Sequence, residues 1–125
     1  CARLSPHHPE LPCAGTHAVL LRGGALARAG GLDAASYRSW HAALVDLSLR
    51  LSGLGGRNVL CETAFVLRER EDAPHGDDNQ RLAVRWPAWH ARLGHFLMDD
   101  PLRAMRVQLG EQVHAARAAP PQRDL

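Results

Sequence analysis

The chain has 125 residues, enough for one domain of ordinary size and for no more than one. Its apolar fraction of 46% and charged fraction of 22% are those of a globular protein, and a net charge of only +2 argues against a nucleic-acid-binding protein that relies on phosphate neutralisation. No apolar run approaches the ~20 residues that a membrane-spanning helix needs. The chain opens on Cys1 without an initiator Met, and we expect it to be a piece of a longer protein.

The N-terminal segment contains the residues most suggestive of a metal site. His7-His8-Pro9-Glu10 offers several ligand types in a row, but a zinc site needs about four ligands and the sequence has no second cluster to complete it. We therefore predict that residues 1–14 form an irregular, Pro-rich segment without a metal. Cys1, Cys13 and Cys61 form no C-x-x-C pair, and we interpret them as reduced thiols.

A strand and a short helix are predicted next. Residues 15–22 form a short, mostly apolar run bounded by glycines, which is typical of a buried strand. Residues 24–29 supply about two helical turns, and Gly30 and Gly31 end them. Asp33 is a plausible N-cap for the element that follows.

The strongest periodic signal is a helix that begins somewhere between residues 34 and 43. Its apolar stripe has i, i+4, i+7, i+11, i+14 spacing and consists of Trp40, Leu44, Leu47, Leu51 and Leu54. Val45 and Leu49 lie roughly opposite this stripe, so we expect the helix to have packing partners on two sides. Asp46 and Arg50 are four residues apart on one flank and can form an ion pair.

A second strand is predicted after Gly55 and Gly56. Residues 59–67 are apolar on both alternating faces apart from Glu62 and Thr63, as in a parallel sheet covered by helices. Strand, helix, helix and strand joined by glycines indicate an α/β fold. Two strands do not make an independent sheet, so further strands are expected from a missing part of the protein or from a partner chain.

The remainder is predicted to be a charged loop and two or three helices. Residues 68–79 form the loop, and residues 118–125 form a flexible tail. Helical spacing returns at Leu82, Trp86, Trp89, Leu93 and Phe96, with a break at Pro87. Asp99 or Asp100 followed by Pro101 predicts the start of a last helix. The apolar stripe of that helix is Leu102, Met105, Leu109 and Val113.

Six short motifs follow one another along the chain. Residues in the order of roughly G-x-x-x-L-x-R-x-x-x-L-x-x-x-G-G-F-D stand at Gly15, Leu20, Arg22, Leu26, Gly30, Gly31, Leu32 and Asp33, with Leu32 in place of the aromatic residue. The acidic motif (E or N)-D-x-D-(L or F)-x-x-R-(L or F)-x-x-x-G is matched at Asp46, Leu47, Arg50, Leu51 and Gly55. A strand ending in P-x-A is matched at Val59, Leu60 and Ala64, and the proline is absent. A loop like H-x-E-S-x-S-R-G, an R-W pair and a D-P pair are matched at Glu71 and Gly76, Arg85-Trp86 and Asp100-Pro101. In this order they resemble the C-terminal half of a family 2 glycosyltransferase, over roughly residues 14–101.

The resemblance implies a partial GT-A fold, in which residues 15–117 are the acceptor-side part: two or so buried strands, flanking helices and C-terminal helices. Sugar would pass with inversion from a nucleotide-sugar donor to a glycan or lipid-linked acceptor. A divalent metal, Mg²⁺ or Mn²⁺, would steady the leaving group. Its ligands and the nucleotide site would lie in an N-terminal half outside this chain, or in a partner chain.

The resemblance also implies a source, a cellular location and a class of pathway. It suggests a bacterial, cytoplasmic protein of polysaccharide biosynthesis, with peripheral association at the inner face of the membrane as an option and with no nucleic-acid partner.

The resemblance assigns roles to individual residues. In inverting members the first Asp of the acidic motif takes the proton from the acceptor hydroxyl. This position is Leu44 here, which cannot accept a proton. Asp46 is therefore the candidate catalytic residue, with Glu71 and Asp72 as other candidate bases. The candidates for acceptor binding are Glu71, Asp72, Arg85 and Trp86. The candidates for structural roles are Arg50, Gly55, Gly30 and Gly31.

Two alternatives stay open. Asp46 and Arg50 can equally be a structural ion pair on the helix flank, worth about 0.5 kcal/mol if it is exposed. The loss of a base at Leu44 favours a non-catalytic relative that keeps the fold as a partner or scaffold domain.

A basic binding module is disfavoured by the net charge and by the core spacing of the tryptophans. We predict that Trp89 is a core residue and that Trp86 lies at the edge of a groove.

Overall fold

The structure is a computed structural model that describes residues 8–14, 18–61, 64, 66–67, 69 and 75–118. In these ranges it contains a two-stranded sheet and five helices. The elements in chain order are β1 (Glu10–Leu11), α1 (Gly23–Ala29), α2 (Trp40–Gly53), β2 (Asn58–Val59), α3 (Asp78–Arg85), α4 (Trp89–Asp99) and α5 (Arg103–Ala118). The described part of the chain is thus mainly helical with a small antiparallel sheet.

The predicted central helix is α2. Ser39 caps its first turn, because the Ser39 hydroxyl accepts a hydrogen bond from the backbone N–H of Ala42 at 3.1 Å. Residues 42–49 are all buried, and both α1 and α3 pack against α2. The prediction of a helix with neighbours on two sides is therefore confirmed. Only the ends of its predicted stripe, Trp40 and Leu54, are exposed.

The hydrophobic core lies between α2, α3 and the start of α4. Its buried members are Tyr37, Ala42, Ala43, Val45, Leu49, Leu82 and Trp89. Trp89 is therefore a core residue, as predicted, while Trp86 is half-buried and packs against the edge of the cluster. Leu44 and Leu47 are buried outside this cluster.

The short helix α1 ends at the two glycines, as predicted. Gly30 and Gly31 both adopt positive φ angles, of 83° and 81°. The backbone N–H of Gly31 bonds the carbonyl of Leu26 and that of Gly30 bonds the carbonyl of Ala27, which closes the last turn of α1. Both angles lie in the left-handed region that side chains disfavour.

The predicted strands are the main correction. Residues 15–17 lie outside the described part, and residues 18–22 form no strand, with Leu20 fully exposed. In place of a buried strand over residues 59–67, β2 covers only Asn58–Val59, and Leu67 is 91% exposed. An apolar run predicts a buried strand only if neighbouring strands cover it, and the described residues supply one short partner.

That partner comes from the N-terminal segment. β1 and β2 pair antiparallel, with Glu10 opposite Val59 and Leu11 opposite Asn58. The backbone N–H of Leu60 extends the pairing by donating to the carbonyl of Pro9 at 2.9 Å. The expected parallel sheet is thus not found in the described residues, and the segment predicted to be irregular contains a strand.

The C-terminal helices follow the predicted spacing with one shift. The break at Pro87 separates α3 from α4, as expected. The last helix begins at Arg103 and not at Pro101 because Asp100 is left-handed, with φ of 46°, and ends α4. No residue of α5 is buried. Its last residue is Ala118, and the rest of the predicted tail lies outside the described residues.

Candidate functional site

Asp46 lies at the centre of a network of polar side chains. It is 0% exposed, and its Oδ1 accepts hydrogen bonds from the Tyr37 hydroxyl at 3.1 Å and from Trp86 Nε1 at 2.9 Å. Arg85 Nη1 lies 3.4 Å from the same oxygen. The other carboxylate oxygen of Asp46, Oδ2, accepts a hydrogen bond from Arg50 Nε at 3.0 Å. The predicted Asp46–Arg50 pair is confirmed, but it is buried on the aspartate side and is not a surface ion pair.

Arg50 links this carboxylate to the end of α1. Its Nη1 donates to the carbonyl of Ala29, and its Nη2 donates to the carbonyl of Gly31 at 2.7 Å. These carbonyls lie at the C-terminal end of a helix, where a cation is favoured by the unpaired acceptors. One guanidinium group thus joins α2 to the glycine turn after α1.

Arg85 links the same carboxylate to the loop between α1 and α2. Its Nη1 also donates to Asp33 Oδ2 at 2.9 Å. Hydrogen bonds to Asp33 and to Tyr37 raise the pKa of Arg85 above its ordinary value. The hydrogen bond from Ser36, followed by the one from Arg85, lowers the pKa of Asp33. Burial raises the pKa of Tyr37, so its phenol remains a hydrogen-bond donor at neutral pH.

The network holds three stretches of the chain together around one carboxylate. The loop before α2 contributes Asp33 and Tyr37, α2 contributes Arg50, and the end of α3 contributes Arg85 and then Trp86. Because both oxygens of Asp46 accept hydrogen bonds and neither is exposed, an acceptor hydroxyl cannot reach it in this arrangement. Proton transfer to Asp46 would require Tyr37 or Trp86 to move.

The other residues singled out in the sequence fall in three places. Leu44 is buried in α2. Gly55 has φ of 88° in the turn that follows α2, and its backbone N–H donates to the carbonyl of Ser52. Glu71 and Asp72 lie outside the described residues.

A second buried carboxylate, Asp78, was missed by the sequence reasoning. It is 0% exposed and accepts hydrogen bonds from the backbone N–H groups of Arg38, Ser39 and His75 and from the Ser39 hydroxyl. Burial alone would raise its pKa, but these hydrogen bonds outweigh burial and lower the pKa to about 2. Asp78 therefore joins the start of α3 to the start of α2. In the sequence it is one of several acids in a charged loop.

An open cleft, which we call the α3 cleft, adjoins the Asp46 network. It measures about 460 Å³. One wall is formed by Asp77, Gln80, Arg81, Val84 and Arg85, and the other by Ser36 and Tyr37. Arg81 crosses the cleft, since its Nε pairs with Asp77 at 3.2 Å and its Nη1 donates to the carbonyl of Ser36.

Thiol and metal chemistry find little support in the described part of the chain. Cys13 and Cys61 form no disulfide with each other, and burial raises the pKa of the Cys13 thiol to about 11, which disfavours a reactive thiolate. Within the described ranges, no group of three or more His, Cys, Asp or Glu residues is placed to hold a metal ion. None of the helices described there is both long and apolar enough to cross a bilayer.

In comparisons with known proteins, no family model matches the chain, and no curated protein or solved structure is significantly similar to it.

Proposed function

We propose that this chain is the acceptor-side part of a glycosyltransferase with a GT-A fold, acting with a nucleotide-binding half that lies outside it. The observation that carries the proposal is the Asp46 network. The residues at which the sequence resembles family 2 glycosyltransferases are scattered between positions 15 and 101, and six of them meet in one set of contacts: Gly31, Asp33, Asp46, Arg50, Arg85 and Trp86. Motif matches that arose by chance would have no reason to converge.

In this proposal the network positions the acceptor side of the site. Arg50 and Arg85 hold the loop of residues 29–37 against α2 and α3, and thereby fix one wall of the α3 cleft. An acceptor hydroxyl would attack the sugar carbon of the nucleotide-sugar donor and displace the nucleotide diphosphate with inversion, and a carboxylate would take the hydroxyl proton. The candidate bases are Asp46, once it is uncovered, and Glu71 or Asp72.

The divalent metal of this chemistry finds no ligand set among the described residues. Asp33, Asp46 and Asp78 all accept hydrogen bonds from protein groups. We therefore assign no metal ligand to the described residues. We propose the cytoplasm as the location, where nucleotide sugars are made.

The second candidate is a non-catalytic relative that serves as a partner or scaffold domain. It is favoured by Leu44 at the position of the usual base and by the complete burial of Asp46. Under this interpretation the network is retained for stability alone.

A transfer assay with the full-length protein separates the two candidates. The protein is mixed with Mg²⁺, a panel of nucleotide sugars and mixed oligosaccharide acceptors, and acceptor-dependent release of nucleotide diphosphate is measured. Asp46→Asn removes a charge at the network with little change of shape, and Asn79→Ala on the exposed face of α3 is the matched control. If Asp46 is the base, Asp46→Asn lowers turnover by about 10²–10⁴-fold, while Asn79→Ala leaves it unchanged.

Each outcome supports one assignment. A large loss of turnover in a folded Asp46→Asn protein supports Asp46 as base, and a small loss that follows its lower stability supports a positioning role. In the second case Glu71→Gln and Asp72→Asn are tested next. A parent protein that releases no nucleotide diphosphate from any donor contradicts the glycosyltransferase proposal and favours the scaffold.

A further inference from the structure

We propose that the α3 cleft binds a neutral sugar unit of the acceptor and discriminates against anionic sugars and phosphates. This inference rests on the proposed function and specifies the charge class of its acceptor. The cleft, of about 460 Å³, falls within the ~300–1,000 Å³ range typical of small-molecule sites.

The charges that line the cleft are already balanced. Arg81 Nε pairs with Asp77 at 3.2 Å, and Arg85 Nη1 lies 2.9 Å from Asp33 Oδ2 and 3.4 Å from Asp46 Oδ1. Arg50 compensates the remaining charge of Asp46 from behind. An anionic ligand would have to compete with these carboxylates for the same guanidinium groups, whereas a neutral ligand would leave every pair intact.

The hydrogen-bonding groups suit hydroxyls. A hydroxyl is both a donor and an acceptor, and the cleft offers both kinds of partner close together. Gln80 has an amide donor and a carbonyl acceptor, and the second carboxylate oxygen of Asp77 is a further acceptor. Val84 is 79% exposed on the same wall and offers an apolar surface to the C–H face of a sugar ring.

The existing contacts of Arg81 also favour a neutral ligand. Binding a phosphate or carboxylate in a fork requires two neighbouring guanidinium N–H groups. Nε of Arg81 already faces Asp77, and Nη1 faces the carbonyl of Ser36. The Nε–H that a side-on fork needs is thus taken by Asp77, while the N–H groups of Nη2 can still donate singly to sugar hydroxyls.

The test is a titration of the full-length protein, without any nucleotide sugar, monitored by backbone amide chemical shifts. The neutral probes are cellotriose, maltotriose and isomaltotriose, and the anionic probes are trigalacturonate and inorganic phosphate. At least one neutral trisaccharide is expected to shift the amides of residues 36–37 and 77–85, while neither anionic probe does so at the same concentration. Cleft binding by no neutral probe, or tighter binding of an anionic one, overturns the inference.

Two variants test the physical reason. Gln80→Ala is expected to weaken binding of the neutral trisaccharide about fivefold, the effect of one lost hydrogen bond, while Asn79→Ala, its exposed neighbour, changes nothing. Asp77→Asn keeps a residue suited to the N-cap of α3 but frees Arg81 from its carboxylate. The ratio of neutral to trigalacturonate affinity should then fall about tenfold. An unchanged ratio in this variant contradicts the charge argument.

The result can be separated from that of the transfer assay. If neutral sugars bind in the cleft but the protein has no transferase activity, this inference is supported and the proposed function is contradicted. If the protein transfers sugar to an acceptor but the cleft amides do not shift when that acceptor is added, the proposed function is supported and this inference is contradicted.

Discussion

At the residue scale, the donors around Asp46 determine whether a buried carboxylate stabilises or destabilises the fold. A carboxylate without partners in the interior costs several kcal/mol, on the order of the whole stability of a small domain. Asp46 has Tyr37 and Trp86 on one oxygen and Arg50 on the other. Each donor offsets part of the cost of burial, so each should be measurable by deletion.

Tyr37→Phe and Trp86→Phe each remove one donor to Asp46 and keep an aromatic ring. We expect each variant to lower the free energy of unfolding by about 2 kcal/mol, as for a hydrogen bond to a charged group. Chemical denaturation of the full-length protein measures the change. Trp40→Phe, at an exposed position of α2, is the control and should stay within about 0.5 kcal/mol of the parent. Equal stability of all three variants would show that the donors contribute nothing.

Asp78 gives the protein a defined sensitivity to acid. Its pKa is lowered from an ordinary value of 3.8 to about 2. As the pH falls, the unfolded state therefore takes up the proton at a higher pH than the folded state does. Its contribution to stability is complete above about pH 4 and is lost as the pH falls toward 2. The free energy of unfolding of the parent should therefore fall more steeply than that of Asp78→Asn between pH 4 and pH 2. Parallel curves in that window would contradict this assignment.

At the element scale, the turn after α1 is the joint on which the network depends. Gly31 has φ of 81°, its N–H closes α1 on Leu26, and its carbonyl accepts from Arg50. A side chain there is strained by the backbone angle even though nothing lies within 4 Å of the added Cβ. The requirement for glycine is thus conformational and does not come from crowding.

Two Gly→Ala variants test this requirement. Gly31→Ala should lower the free energy of unfolding by about 1 kcal/mol because alanine disfavours a positive φ. Gly24→Ala, inside α1 with open space around it, should raise the free energy of unfolding by up to about 1 kcal/mol because alanine favours the helix. Thermal unfolding of both variants of the full-length protein measures whether each substitution lowers or raises the stability. A stabilised Gly31→Ala protein is the result that contradicts the prediction.

The sequence predicted elements whose signals are local and missed contacts that are not. The apolar period of α2, the Gly30-Gly31 end of α1 and the break at Pro87 depend on residues within a few positions of one another, and all three are confirmed. The strand predicted over residues 59–67 depended on distant partners, and it is wrong for the described residues.

The same distinction holds within the site. The spacing of Asp46 and Arg50 predicts their pair, because four residues on a helix bring two side chains together. The contact of Asp46 with Trp86 spans 40 positions, and that of Asp78 with Ser39 spans 39. No local pattern distinguishes Asp78 from the acids beside it, so only the fold identifies it.

At the scale of the whole molecule, much apolar surface remains uncovered. Leu97 and Met98 in α4 and Val107 in α5 are more than half exposed. Exposed apolar groups that form a contiguous patch mark surfaces that associate. Leu67 and Val84 are exposed as well.

We therefore expect the isolated chain to self-associate at micromolar concentrations or to bind a hydrophobic dye. Light scattering after size-exclusion chromatography measures its mass, and the double variant Met98→Glu, Val107→Glu should shift it toward the monomer. Glu111→Gln, on the exposed surface of α5, serves as the control and should not. A monodisperse, dye-free monomer that unfolds in one sharp transition contradicts this expectation.

The contacts of Asp46 with Trp86 and of Asp78 with Ser39 also bear on the order in which the protein folds. Both contacts close a loop of about forty residues, so the chain must give up the entropy of that loop before either contact stabilises it. The turns of α2 need no such closure and can form early. We expect Trp86→Phe and Asp78→Asn to accelerate unfolding with little change in the refolding rate, because the contacts that they remove require the loop to be closed and we expect these contacts to form after the transition state. The lifetime of the native state would then be set by the last contacts to form.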